Sequence, residues 1–351
     1  MTKPFQRTGL VSLALFLFAC GGGGGGSNNP PPVTTPPPSS DPLGAVGTVA
    51  EEQDRLFESI GLGVIAPSYE AMASESLGFK TAIESYCADP ASGDLIAVQQ
   101  SWRDAMLSWQ RASIVRFGPV EENNRRLRIQ FFPDSNNAVL NNVTAVLNGS
   151  AAIDEALIAS SPVGAQGLPA LEYLLFDLGG IDDPDAGPRR CDLAVAVAAN
   201  YNTMANELST AWDPAGQLLA DFTSASGVYM DRNEVLTDIL ESLAQDTEFV
   251  ADEKVTRPQQ TGAMTTESFR AEHSVENLMA NVNAIRAFLD RGTADTDYGF
   301  RDYLDRAHDS GAIADQLDQQ LGDAEAGLAA LTATLEAILL GTENGDIDTI
   351  R

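Results

Sequence analysis

The sequence predicts an all-α helical bundle from about residue 44 onward. Apolar residues recur there at spacings of three and four, and alanine and leucine are frequent. The alternating β-branched runs that are typical of strands are scarce, and proline and glycine turns separate the periodic segments. This pattern favours helices packed on helices around a shared core.

The periodicity predicts helices over 48–60, 68–87, 94–117, 136–147, 151–159, 169–177, 191–212, 231–255, 268–290 and 311–340. The predicted breaks contain turn residues: Pro90, Gly118-Pro119, Pro133-Asp134, Pro162, Gly179-Gly180 with Pro184, Pro214 with Gly216, and Pro258 with Gly262. Residues 342–351 form an acidic C-terminal tail that we expect to fray.

The chain is strongly acidic. Its 351 residues carry 50 Asp plus Glu against 21 Lys plus Arg, which gives a formal net charge of −29. Nucleic acid is excluded as a partner, because phosphate binding needs a basic surface. The charge favours cationic partners or metal ions, and its simplest interpretation is a solvated acidic surface.

The first 19 residues are typical of a bacterial lipoprotein signal peptide. Lys3 and Arg7 precede the short apolar segment Leu10–Ala19, which is too short for a permanent membrane span. The segment ends in Leu17-Phe18-Ala19-Cys20, which resembles a lipobox. We therefore expect cleavage before Cys20 and lipidation of its thiol, so that the membrane is a partner through a lipid anchor. The alternative is an ordinary secretory signal with an incidental cysteine.

Residues 20–43 predict a disordered tether. Six glycines follow Cys20, and a Pro/Ser/Thr/Asn run continues to Pro42, a composition that cannot bury a core. By analogy with lipoprotein sorting, the absence of aspartate at Gly21 suggests the outer membrane, with the folded part facing the periplasm.

That compartment predicts a disulfide. Once Cys20 is lipidated, the remaining cysteines are Cys87 and Cys191, and a lone pair in an oxidising compartment is expected to be bonded. The bridge would close a loop of about a hundred residues.

The stretch Gln166–Asp177 places one carboxylate, Glu172, in an otherwise apolar helical run. Pro169 suits the first turn of that helix. The helix dipole and a nearby arginine would lower the pKa of Glu172, whereas burial would raise it. The sequence leaves both outcomes open, together with an ordinary solvated glutamate.

Gly167, Glu172 and the apolar residues after them resemble the motif G-x-H-x-x-E of the imelysin family of bacterial envelope proteins, with Pro169 at the histidine position. Further segments are similar to other motifs of that family, in the same order: Ser101-Trp102-Arg103 to Trp109-Gln110-Arg111, Arg116-Phe117-Gly118-Pro119, Arg128 to Phe132-Pro133-Asp134, and Glu272-His273-Ser274 to Asn281. The resemblance implies that residues 44–341 form two helical-bundle halves, divided near 180–215, with the motifs meeting between them.

Metal chemistry is constrained because the chain has only two histidines. Pro169 offers no ligand, but His273 and Glu276 repeat the spacing H-x-x-E, with Glu272 beside them. If their helix packs on the Glu172 helix, Glu172, Glu272, His273 and Glu276 would converge. Such a carboxylate-rich site would suit a divalent metal such as iron, manganese or calcium.

Three functions are compatible with these observations. The resemblance implies a non-catalytic binding or accessory component of metal (iron) acquisition, possible partners being other envelope proteins. A metallopeptidase, the activity attached to the family name, loses a metal ligand at Pro169. The third is a tethered structural interaction module.

Overall fold

The computed structural model describes residues 42–177, 180–182, 187–290 and 297–341. These residues form helices, turns and irregular loops, and none of them lies in a strand, so the predicted all-α class is confirmed. The signal peptide, Cys20, most of the tether, the acidic tail, and the turn residues Gly179 and Pro184 lie outside the described residues.

Fifteen α-helices are present in the described ranges. The first eight are α1 Val49–Ile60, α2 Ala66–Ala88, α3 Leu95–Ala112, α4 Arg125–Ile129, α5 Ala138–Asn148, α6 Glu155–Ala159, α7 Gly167–Phe176 and α8 Arg189–Ala211. The remaining seven are α9 Gln217–Ser224, α10 Arg232–Phe249, α11 Arg257–Thr261, α12 Ser274–Asp290, α13 Phe300–His308, α14 Gly311–Ala329 and α15 Leu335–Leu340.

Local sequence signals explain several helix starts. Thr48 and Glu51 form a capping box at α1, in which each side chain accepts a hydrogen bond from the other residue's backbone N–H. Asp94, Asp231 and Thr334 cap α3, α10 and α15 in the same general way, with a side-chain oxygen accepting from a backbone N–H of the first turn.

Two π-helical segments continue the chain where the sequence predicted a gap between helices or the end of a helix. Gly61–Ile65 connects α1 and α2 without a break, and Val250–Thr256 connects α10 to α11. The predicted helix 94–117 was too long, because α3 ends at Ala112 and the N–H of Arg116 donates to Ser242 Oγ at 3.1 Å. A tertiary hydrogen bond thus replaces helical hydrogen bonding at that end.

Other boundaries also differ from the prediction. The single predicted helix 311–340 is two helices, because Thr334 caps a new helix after the turn that follows α14. Four helices were missed: α4, α9, α11 and α13. Three of these have eight residues or fewer and α13 has nine, lengths at which periodicity carries little signal.

One apolar cluster runs through most of the described chain. Helix α8 packs along α2, α2 packs on α3, and α3 also contacts α7 and α12. Trp102 and Trp109, seven residues apart on α3, are both buried and serve as core anchors. The division near 180–215 remains a prediction; α8 crosses that range while packing along α2.

The predicted disulfide is present between Cys87 and Cys191. It links the end of α2 to the start of α8, two helices that also pack along each other. The bridge therefore joins residues 104 apart in the chain across an interface that is already formed.

The described helices include none with both the length and the apolar character needed to cross a lipid bilayer.

Candidate functional site

The start of α7 requires glycine at position 167. Gly167 has a φ of +65°, a backbone conformation that side chains disfavour, and a Cβ there would lie 2.1 Å from the carbonyl oxygen of Ile129. This close approach seats α7 against α4. Pro169 follows in the first turn, where its missing N–H costs no intrahelical hydrogen bond.

Glu172 is buried in α7, with 5% of its surface exposed. Its Oε1 accepts two backbone hydrogen bonds, from the N–H of Arg270 at 2.8 Å and of Ala271 at 3.1 Å. One carboxylate oxygen therefore holds α7 against the turn that precedes α12.

That turn is the reason why the predicted helix 268–290 was wrong at its N-terminal end. Helix α12 begins at Ser274, and both Ser268 and Glu272 have positive φ, at 57° and 52°. This conformation points N–H groups of the turn at Glu172 instead of along a helix. The backbone thus satisfies a distant carboxylate at the expense of one helical turn.

Burial raises the pKa of Glu172 to about 7. The charge of Arg270 and the two backbone hydrogen bonds oppose this effect, and the carboxylate of Glu336 adds to it. Of the two outcomes that the sequence left open, burial prevails. Other arginines, in α4, have their own partners: Arg125 pairs with Glu207, Arg126 lies near Asp246, and Arg128 donates to Gln166.

A pH-dependent stability follows for Glu172. Below its unfolded pKa near 4.5 the group is neutral in both states, and stability is lost as the pH rises and the unfolded chain ionises first. A folded pKa of about 7 corresponds to about 3 kcal/mol of destabilisation at pH 8. Glu172→Gln is therefore expected to gain about that much relative to wild type between pH 4.5 and pH 8, as measured by urea unfolding.

The control is Glu248→Gln, at an exposed position on α10. Because that side chain is exposed, we expect this variant to unfold like wild type. A constant difference between Glu172→Gln and wild type over the same pH range would show that Glu172 does not titrate with a raised pKa.

Glu172 lines a cavity of about 600 Å³. The wall combines α3, α7 and α15 with the loop after α4 and the segment before α12. Two further buried carboxylates, Glu267 and Glu336, line the same cavity. The arrangement therefore places three buried acidic side chains along one concave surface.

Glu267 is held by a buried polar network. Its Oε1 lies 2.8 Å from the ammonium nitrogen of Lys254 and also accepts from the amides of Gln110 and Gln130. Lys254 Nζ donates further to Gln110 Oε1 at 2.6 Å and to Asn281 Oδ1 at 2.8 Å. Burial lowers the pKa of Lys254, opposed by the charge of Glu267.

Glu336 is held from two sides. Its Oε1 accepts from the hydroxyl of Thr266 at 2.7 Å and from that of Ser274. Burial raises the pKa of this carboxyl, opposed by those hydroxyls. Burial thus raises the pKa of both Glu172 and Glu336.

The sequence interpretation missed Glu267, Glu336 and Lys254. The signal for Glu336 was available, because Leu335-Glu336-Ala337-Ile338-Leu339-Leu340 isolates one carboxylate in an apolar run, as the Glu172 stretch does. Lys254 carried a weaker signal, because a lysine within a charged segment is usually exposed to solvent. Its burial becomes evident only from the position of its helix in the fold.

The structure separates the four predicted metal ligands. Glu172 and Glu272 line the cavity, whereas His273 and Glu276 do not. His273 is buried with its Nδ1 3.5 Å from Glu276 Oε2, and the Glu276 side chain is 54% exposed. Burial lowers the pKa of His273. Across the described ranges, no three His, Cys, Asp or Glu side chains are grouped closely enough to hold a metal ion, so the predicted convergence is not formed.

A metal bound in the manner of the G-x-H-x-x-E motif does not fit these residues. Pro169 lines the cavity but supplies no donor atom at the histidine position. The Oε1 of Glu172 is occupied by two backbone N–H groups.

Comparison with known proteins places the fold. The family model described as Imelysin matches residues 65–349. An imelysin-like protein from Psychrobacter arcticum 273-4 superposes with a TM-score of 0.67 at 20% identity, covering 83% of this chain and 88% of that one. A protein from Parabacteroides distasonis ATCC 8503, provisionally named iron-regulated protein A precursor, gives 0.66 at 16% identity, covering 86% and 90%. No curated protein matches the chain.

Proposed function

Because the chain belongs to the imelysin family, we propose that it is a lipid-anchored, periplasm-facing envelope protein that binds a ligand and serves metal (iron) acquisition without acting as an enzyme. The observation that supports a binding role most directly is the cavity with three buried carboxylates, Glu172, Glu267 and Glu336. Buried carboxylates are costly, and their placement in one concave space is typical of a ligand site.

The iron-related part of the proposal rests on family likeness. A structural neighbour of the same fold is named an iron-regulated protein A precursor. The chain also has a net charge of −29, and an acidic protein attracts cations, including metal ions, to its surface. In this proposal iron is cargo of the acquisition process and not a resident cofactor.

The anchoring part rests on the sequence of the first 43 residues. The lipobox-like Leu17-Phe18-Ala19-Cys20 and the Gly/Pro-rich tether would hold the helical domain within about 70 Å of the membrane. The Cys87–Cys191 disulfide agrees with an oxidising compartment.

The non-catalytic part rests on Pro169. A peptidase of this type needs a metal-activated water, and the motif position that would supply a ligand is a proline. Burial raises the pKa of Glu172 to about 7. This value suits a general base, so metallopeptidase is the second candidate function.

Growth under iron limitation tests the proposal. A strain that lacks the protein is expected to grow poorly when iron is scarce and to recover when the wild-type chain is restored. Cys20→Ser, which removes the lipid anchor, and Glu172→Gln, which alters the cavity, should both fail to restore growth. Glu248→Gln should restore it fully. Intact-mass measurement of membrane-extracted protein should show acyl chains on Cys20.

A protease assay separates the second candidate. The purified wild-type protein is expected to leave casein uncleaved, with or without added divalent metal. Cleavage that is abolished by a chelator and by Glu172→Gln would establish the metallopeptidase instead. If deletion of the protein leaves growth unchanged at every iron concentration, the role in iron acquisition is wrong and the tethered interaction module becomes the better interpretation.

A further inference from the structure

We propose that the cavity binds a small organic cation, an ammonium or guanidinium group carried on an apolar body, with the charged group held by Glu267 and Glu336. This proposal shares one premise with the proposed function, namely that this cavity is the binding site. It names the chemical class of the ligand, which neither the family nor the structural neighbours supply.

Two carboxylate oxygens in the cavity wall lack hydrogen-bond donors. Glu267 and Glu336 are 3% and 4% exposed, and the Oε2 of each is buried with no hydrogen-bond partner within the described part of the chain. In both residues Oε1 is the oxygen that the protein itself satisfies. An unsatisfied buried carboxylate oxygen is costly, so these two atoms point to a donor that the chain does not provide.

Ser274 links the segment that carries Glu267 to the side chain of Glu336. The hydroxyl of Ser274 contacts both the backbone carbonyl of Glu267 and Oε1 of Glu336. Both side chains line the same cavity, so in the proposed complex one group with several N–H donors contacts both. An ammonium has three such donors and a guanidinium has five, and neither has an acceptor that would be repelled.

The basic residues of the cavity are already paired. Arg270 forms an ion pair with Asp177 at 2.6 Å, and Arg257 forms one with Glu253 at 2.8 Å. Lys254 compensates Glu267 through its Oε1 only. These pairs leave the carboxylates of Glu172 and Glu336 without a lysine or arginine partner among the described ion pairs, so the ligand is expected to bring positive charge.

Size and apolar lining indicate that this charge belongs to an organic molecule. A volume of about 600 Å³ lies in the range of small-molecule pockets and far exceeds what one ion occupies. Phe132, Phe176 and Phe269 line the cavity, and aromatic rings bind both apolar groups and organic cations. A bare metal ion is disfavoured, because the described residues offer no group of three acidic, histidine or cysteine ligands.

Calorimetric titration with 2-phenylethylamine tests the proposal, and 2-phenylethanol serves as its uncharged counterpart. The wild-type chain is expected to bind the amine at least about tenfold more tightly than the alcohol, because a charge-assisted hydrogen bond contributes on that scale. Glu336→Gln should weaken amine binding by about tenfold or more and leave the weak alcohol binding unchanged. Glu248→Gln, outside the cavity, should bind like wild type.

Thermal unfolding checks that Glu336→Gln remains folded. Its amide oxygen can still accept from Thr266, and the substitution removes a buried charge, so its midpoint should be no lower than that of wild type. The comparison of amine with alcohol uses the unaltered chain and therefore decides the question even if the variant fails to fold.

Equal binding of amine and alcohol, unchanged amine binding by folded Glu336→Gln, or no detectable amine binding would each overturn the proposal. So would binding of manganese or calcium alone that Glu336→Gln abolishes. These results are independent of the growth test. If Glu172→Gln fails to restore growth but the wild-type chain does not bind the amine, the role in iron acquisition stands and only the ligand class is rejected.

Discussion

Replacing Lys254 with methionine is expected to lower the free energy of unfolding by about 3–5 kcal/mol at neutral pH. The ammonium group lies 2.8 Å from Glu267 Oε1, and both side chains are only 3% exposed. Methionine fills a similar volume but removes the charge. The carboxylate of Glu267 would then be buried without a cation, which is the situation in which loss of one partner costs most.

Urea unfolding at neutral pH measures this loss. The double variant Lys254→Met with Glu267→Gln removes both charges, and glutamine still accepts from the amides of Gln110 and Gln130. It should recover most of the lost stability.

The comparison separates charge from packing. If the double variant is as unstable as Lys254→Met alone, the effect comes from the shape of the lysine side chain and its contacts. One such contact is with the ring of Phe249, 5.7 Å from Nζ. A loss below about 1 kcal/mol in the single variant would show that water reaches the ion pair.

Removing the disulfide is expected to have an effect of similar size. The double variant Cys87→Ala with Cys191→Ala should be about 4–5 kcal/mol less stable than wild type, because the bridge closes a loop of 104 residues and restricts the unfolded chain. Replacing both cysteines avoids leaving a free thiol that could form bonds between chains.

A reducing agent provides the matched control. Reduced wild type should unfold at the urea concentration of the double variant, and the double variant should not respond to the reductant. Because α2 and α8 pack along each other without the bridge, both forms should still fold. Two reactive thiols in unreduced, unfolded wild type would show that the bond is absent from the protein.

The candidate site was predictable only in part. Glu172 and Gly167 were found because a lone carboxylate in an apolar run and a motif glycine are visible in one short stretch. His273 and Glu276 were grouped with them by helical spacing, but that spacing could not show which way the helix faces. Glu276 is exposed, and His273 points its Nδ1 towards it and lines no part of the cavity.

Glu336 shows the limit most clearly. It lies 164 residues after Glu172 in the chain, yet it lines the same cavity and raises the pKa of that residue. Nothing in local spacing relates two carboxylates at this separation. Only packing of α15 near α7 brings them together, and the same packing turns a common glutamate into a group with a raised pKa.

The sequence by itself determined the helical class, the cysteine pair that is expected to be oxidised, and a lone carboxylate in an apolar helix with proline in its first turn. The helical class and the start of α7 depend on side-chain periodicity and backbone preference, which act over a few residues. The cysteine pair depends on the number of cysteines and on the redox state of the compartment. The tertiary structure alone decided that burial outweighs the charge of Arg270 at Glu172, that the turn before α12 donates its N–H groups to that carboxylate, and that Lys254 compensates Glu267. Desolvation and charge pairing depend on which segments surround a group, and that is a property of the packed chain.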